Sequence, residues 1–132
     1  MQVWKFGGTS VGKPERMKSI RQLITEDGQP KVVVLSALSG TTNALLSITE
    51  SVISNNIAEA EAKATFLKEH YHSFISELYL TEKGQSAGQE IINREFDFIN
   101  KLIKTTPYSI KEEKEMVALG ELLSTQIFEA YL

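Results

Sequence analysis

The chain has 132 residues, 42% of them apolar and 23% charged, proportions that fit one soluble globular domain and exclude a disordered or fibrous protein. Fourteen Lys and Arg against 17 Asp and Glu leave a net charge of −3, which speaks against a protein that grips nucleic-acid phosphates and is too slight for an acidic interaction tail. Cysteine is absent, so there is no disulfide framework, thiolate nucleophile or cysteine metal site, and His70 and His72 cannot build a zinc site without help from carboxylates.

The longest aliphatic run, Val32 to Leu35, is far short of the roughly 20 residues of a membrane helix. The opening Met1 to Gly8 lacks the apolar core of a signal peptide. A cytoplasmic chain without membrane attachment is the expectation.

Val3, Trp4 and Phe6 form a short β-prone run that stops at Gly7-Gly8, a strand followed by a sharp turn. Pro14 suits a first helical turn, and Met17, Ile20, Leu23 and Ile24 follow at helical spacing until Asp27-Gly28 and Pro30 end the segment. Lys31 to Leu35 reads as a second strand, its unbroken apolar character predicting burial on both faces in a parallel sheet. A small-residue loop, Ser36 to Gly40, leads to a helix from Thr42 to Ile53. This order, strand–turn–helix twice over, is the opening of a doubly wound α/β domain.

Beyond it the pattern is helical. Ile57 to Leu80 carries Leu67, Tyr71, Phe74, Ile75 and Leu78 on one face, and Gly84 and Gly88 punctuate the chain. A further helix carries Ile92, Phe96, Ile99 and Ile103 before Thr105-Thr106-Pro107 breaks it. Ser109 and Glu112 predict a capping box for a last helix striped by Met116, Leu119, Leu123, Ile127 and Ala130. Two strands do not make a stable parallel sheet, and the apolar stripe runs to the last residues without a stop signal. The chain therefore reads as the front part of a longer protein.

Three stretches carry candidate chemistry. In Lys5-Phe6-Gly7-Gly8-Thr9-Ser10-Val11 a lysine closes a strand before two glycines and two hydroxyls. Glycine lets backbone N–H groups approach an anion and the lysine adds positive charge, so the segment suits phosphate; a plain strand-to-helix turn with a snorkelling lysine is the alternative. Gly7, Gly12 and Lys13 imitate a P-loop, but Pro14 stands where that motif needs Ser or Thr for Mg²⁺. The second stretch, Ser36 to Asn43, also follows a strand, where ligands of open α/β sheets bind, although one such loop alone is an ordinary N-cap and turn. The third is Glu121 beside Gly120 in an apolar helix, either a carboxylate with a partner to meet or one exposed on the helix flank. His70 and His72, two apart, face different sides of a helix, and the Glu/Lys series from Glu59 to Glu69 reads as a solvated face.

Together these stretches resemble the aspartate kinases of the amino-acid kinase superfamily. Lys5 to Val11 is similar to the family's opening Lys-Phe-Gly-Gly-Thr-Ser-Val block, Val34 to Ala37 with Thr42-Asn43 to its second-strand loop, and Gly120 to Thr125 to its Gly-Glu-Leu-x-Ser-Thr helix. The resemblance covers the whole chain and is weakest between Ile57 and Thr106. It implies a three-layer α/β sandwich with a mainly parallel sheet, residues 1–132 forming the helix-rich N-terminal part of one catalytic domain. It also implies transfer of the ATP γ-phosphoryl group to the β-carboxylate of L-aspartate, the entry to lysine, threonine and methionine synthesis. Lys5 would be catalytic and, with Phe6, Gly7 and Gly8, would bind ATP phosphate. Ser36, Ala37 and Thr42 would hold aspartate, and Glu121 would pair with its α-ammonium group. Mg²⁺ would arrive with ATP, with no protein metal ligand in this stretch. Partners would be aspartate and MgATP, with no nucleic acid or membrane, in a homo-oligomer. The family's downstream aspartate and arginine, its nucleotide half and its ACT regulatory domains would lie outside these residues, so this chain by itself would be inactive. A non-catalytic aspartate- or phosphate-binding module and another amino-acid kinase, such as glutamate 5-kinase, are the competing readings.

Overall fold

A computed structural model describes residues 2–132, with residues 9 and 10 described by their backbone alone. It begins with β1 (Gln2–Phe6), the single-turn α1 (Gly8–Val11), α2 (Pro14–Thr25) and β2 (Lys31–Leu35). The strands pair in parallel, in register from Gln2 opposite Lys31 to Phe6 opposite Leu35. A helical crossover leaves no other choice, because α2 carries the chain back to the end of the sheet where β1 began. Pro14 occupies the first turn of α2, where its missing N–H costs nothing, and Met17 and Ile20 are buried beneath it.

Four longer helices follow: α3 (Thr41–Ile53), α4 (Ile57–Leu78), α5 (Glu82–Ile103) and α6 (Ile110–Tyr131). Each packs on the next, and α6 closes back against α3 and touches β2. Their apolar stripes meet in one core that includes Leu45, Ile48, Tyr71, Ile92, Phe96, Ile99, Met116, Leu123 and Ile127, each at most 1% exposed. Lys18 of α2 reaches across to α4, its Nζ donating to the Glu77 carbonyl at 3.2 Å.

Gly84 and Gly88 do not break the chain but lie within α5, which starts at Glu82 with the Thr81 hydroxyl accepting from the Gly84 N–H at 3.0 Å. Their role is steric. A β-carbon on Gly88 would stand 2.5 Å from Tyr79 Cε2, and the buried Tyr79 ring is held there by its hydroxyl donating to the Ile127 carbonyl at 2.6 Å. Ser109 does stand at the N-cap of α6, but not as a capping box: its hydroxyl donates to the Glu112 carboxylate at 2.9 Å and caps no backbone N–H. A charged acceptor makes the stronger bond.

The expected burial of Lys31–Leu35 on both faces does not hold. Val32 and Val34 are each 44% exposed and Val3 is 68% exposed. The two strands alternate in step, so Val3, Lys5, Val32 and Val34 share the uncovered face, while Phe6, Val33 and Leu35 face the helices. Among the described residues the helices cover one face of a two-stranded sheet, and the architecture is helix-rich α/β. No helix among them is long and apolar enough to cross a membrane.

Candidate active site

The loops that follow β1 and β2 lie against each other. A β-carbon on Gly8 would sit 3.0 Å from the Ala37 carbonyl oxygen, and one on Gly12 would sit 2.9 Å from Ser39 Cβ. Glycine at both ends of α1 is thus what lets the two loops touch. The ladder also runs one bond past the strands, the Ser36 N–H donating to the Phe6 carbonyl at 3.0 Å.

The loop after β2 enters α3 through Gly40, whose φ of +83° is left-handed and open to glycine without strain. No side chain caps α3. Its first turn, with exposed Thr42 and Asn43, presents N–H groups and the positive end of the helix dipole to one side of the loop. From the other side comes α6. A β-carbon at Gly120 would fall 2.9 Å from Ala37 Cβ and 3.2 Å from Thr41 Cγ2, so glycine sets how close this helix can come. The next residue, Glu121, is exposed at the same junction.

These segments enclose a polar cleft of about 320 Å³ lined by Gly8, residues 36–40, Thr42, Asn43 and Glu121. Gly8, Ser36, Ala37, Thr42 and Glu121, drawn from three separate parts of the sequence, therefore come together. The Glu121 carboxylate has no hydrogen-bond or ion-pair partner among the described residues, although the Glu121 backbone carbonyl lies 3.1 Å from Ser124 Oγ. Glu121 and the electropositive start of α3 thus line one cleft, an arrangement that suits a small ligand bearing both an ammonium and a carboxylate group.

Lys5, Phe6 and Gly7 are not in the lining. Lys5 is exposed on the uncovered sheet face, Phe6 packs partly against the core and Gly7 is an exposed N-cap of α1. The side chains of Thr9 and Ser10 lie outside the described residues. Among the described residues, no cluster of three or more His, Asp or Glu could hold a metal ion.

A larger groove of about 510 Å³ runs between α3 and α4 past Ala44, Phe66 and Leu67 and shares Ser39 and Gly40 with the cleft. Its walls are mainly apolar, and the Lys63 ammonium within it is already engaged by Ser51 Oγ at 2.8 Å and Glu59 at 3.2 Å. The smaller cleft has the unpaired charge.

Two residues that the sequence reading passed over shape this cleft. Ser124 is fully buried and its hydroxyl donates to the Ser36 carbonyl at 2.7 Å. Tyr71 is fully buried with its hydroxyl 2.7 Å from Thr41 Oγ1, and burial pushes its phenol up to about 12. Tyr71 read as core and Ser124 as part of a motif; neither polar contact is local in sequence.

The α/β frame with paired glycine and hydroxyl loops beside a helix-borne glutamate is that of the amino acid kinase family, to which the chain belongs: the family's sequence profile matches residues 1–132. Within the family the similarity is to aspartokinases. The chain is 34% identical to aspartokinase 2, chloroplastic, of Arabidopsis thaliana over 98% of its own length and 24% of that protein's. It is 30% identical to the bifunctional aspartokinase/homoserine dehydrogenase of Buchnera aphidicola, covering 17% of that chain. Among solved structures, E. coli aspartokinase III in complex with aspartate and ADP (R-state) superposes with a TM-score of 0.77 at 28% identity, over 99% of this chain and 28% of that one. The same enzyme in complex with lysine and aspartate (T-state) gives 0.69 at 26% identity. The chain spans about a quarter of the length of the plant relative.

Proposed function

We propose that the chain is the aspartate-holding, N-terminal part of the catalytic domain of an aspartate kinase, which transfers the ATP γ-phosphoryl group to the β-carboxylate of L-aspartate. The observation that carries this reading is that Glu121, its carboxylate unpaired, and the uncapped start of α3 line one cleft. Glu121 takes the α-ammonium group. Ser36, Ala37 and Thr42 hold the rest of the amino acid, with a substrate carboxylate toward the first turn of α3. The aspartate and ADP of the superposable E. coli enzyme support the same ligands here.

The acceptor carboxylate is already an anion at neutral pH, so its attack on the γ-phosphorus needs no general base. Catalysis then rests on positioning and on offsetting charge in the transferring phosphoryl. Lys5, near the end of β1, supplies that positive charge, and the Phe6-Gly7-Gly8 backbone cradles phosphate oxygens. Mg²⁺ arrives with ATP. The reading includes a three-layer sandwich, in which further helices cover Val3, Val32 and Val34, and nucleotide-binding and ACT regulatory parts beyond this stretch. A cytoplasmic, homo-oligomeric enzyme serving lysine, threonine and methionine synthesis completes it.

The test is aspartate-dependent ADP release from MgATP by the intact protein that carries this chain, with acyl phosphate trapped as the hydroxamate. Activity with aspartate and little with glutamate is expected. Glutamate as the better acceptor, or no turnover of either amino acid, overturns the reading.

A further inference from the structure

The loop from Ser36 to Thr42 carries most of the cleft's polar groups, yet its middle, Ser39 and Gly40, is exposed. Buried hydroxyls hold both of its ends. At the start, Ser124 of α6 donates to the Ser36 carbonyl at 2.7 Å. At the end, Thr41 Oγ1 and the Tyr71 hydroxyl of α4 meet at 2.7 Å, Thr41 being 1% exposed and Tyr71 fully buried. Resting on the aspartate kinase reading, we propose that Ser124 and Tyr71 are positioning residues that pin the two ends of this loop, holding it at the distance from Glu121 at which one aspartate molecule meets both.

The geometry is specific about what each anchor does. Ser124 lies one helical turn after Glu121, so it and the carboxylate share a face of α6. Its bond to Ser36 therefore ties the ammonium-binding helix directly to the loop on the far side of the ligand. The bond is made through the Ser36 carbonyl, which leaves the Ser36 hydroxyl available to the cleft. Tyr71 acts in the same way at the other end. By engaging the buried Thr41 hydroxyl it fixes the residue that opens α3, while Thr42 beside it stays exposed toward the cleft. Removing either anchor takes from the loop a partner for one of its polar atoms, a penalty large enough to shift the loop's preferred position.

The experiment is steady-state kinetics on Ser124→Ala and Tyr71→Phe in the intact protein, varying aspartate and MgATP separately, with a thermal melt of each variant. Both are expected to raise the aspartate KM about 5-fold or more, the scale of a lost buried hydrogen bond, and to leave the MgATP KM within about 2-fold. A variant that melts lower but keeps both KM values marks a purely structural hydroxyl and overturns the proposal for that anchor. Equal increases in both KM values also overturn it, since the whole site would then have loosened. Should Ser124→Ala fail to fold, Tyr71→Phe, which keeps the ring in the core, decides by the same criteria. A wild-type protein that does not phosphorylate aspartate refutes the functional reading instead, and the anchors' role with it.

Discussion

Gly120 of α6 faces Ala37 in the loop after β2 so closely that a β-carbon on the glycine would lie 2.9 Å from Ala37 Cβ. Helix propensity alone favours alanine at position 120 by about 1 kcal/mol, but Ala37 Cβ is fixed to the backbone and cannot swing aside. Gly120→Ala should therefore lose about 1–2 kcal/mol net, the overpacking cost exceeding the propensity gain. Chemical denaturation checks the stability. Aspartate affinity should fall with it, because α6 is pushed off the loop. A variant as stable as the parent, with unchanged aspartate affinity, would show that the helix has room to spare.

Lys5 and Glu121 should fail in different ways. Lys5→Ala should lower kcat about a hundredfold or more, roughly 3 kcal/mol, with little change in the aspartate KM, because its charge matters most where charge develops on the transferring group. Glu121→Ala should chiefly raise the aspartate KM, the α-ammonium contact being the same in ground and transition states. Kinetics on the intact protein separate the two. Near-normal kcat in Lys5→Ala would reduce that lysine to a strand end on an open sheet face.

Burial holds the Tyr71 phenol at about 12 and the Tyr79 phenol at about 12, against the ordinary 10.0. Between those values the unfolded chain has released these protons and the folded chain still holds them. The unfolded state thus binds fewer protons, and stability must fall as pH rises. The contribution is fully present below about pH 10. Urea midpoints measured from pH 8 to 12 should decline in the upper part of that range, less steeply in Tyr71→Phe. An identical decline in the variant would place the alkaline sensitivity elsewhere.

Gly88→Ala tests the packing of α5 on the α4–α5 connection. The new methyl group would press on the Tyr79 ring, which its hydrogen bond to Ile127 keeps from retreating. A loss of about 1–3 kcal/mol is expected despite better helix propensity, read as a lower melting temperature.

Local signals in the sequence were enough for the order of the longer elements and the parallel strand pair, though not for the single-turn α1. The Gly7-Gly8 turn, Pro14 at a helix start, the 3.6-residue stripes and the Ser36–Gly40 loop each act within a few residues, and they agree with one another. The family, too, was legible from Lys5 to Val11, the Ser36 loop and Gly120 to Thr125, and from Glu121 came the suspicion of a missing partner. What Glu121 lies beside was decided only by tertiary packing, because α6 reaches the loop after β2 across 88 residues, the separation of Ser124 from Ser36. The same holds for Gly84 and Gly88, which looked like breaks until Tyr79 was seen to fill the space their missing side chains leave. An apolar run records what a strand can bury, not what is there to cover it, and so Val32 and Val34 read as buried while the helices of this chain lie on the other face of the sheet.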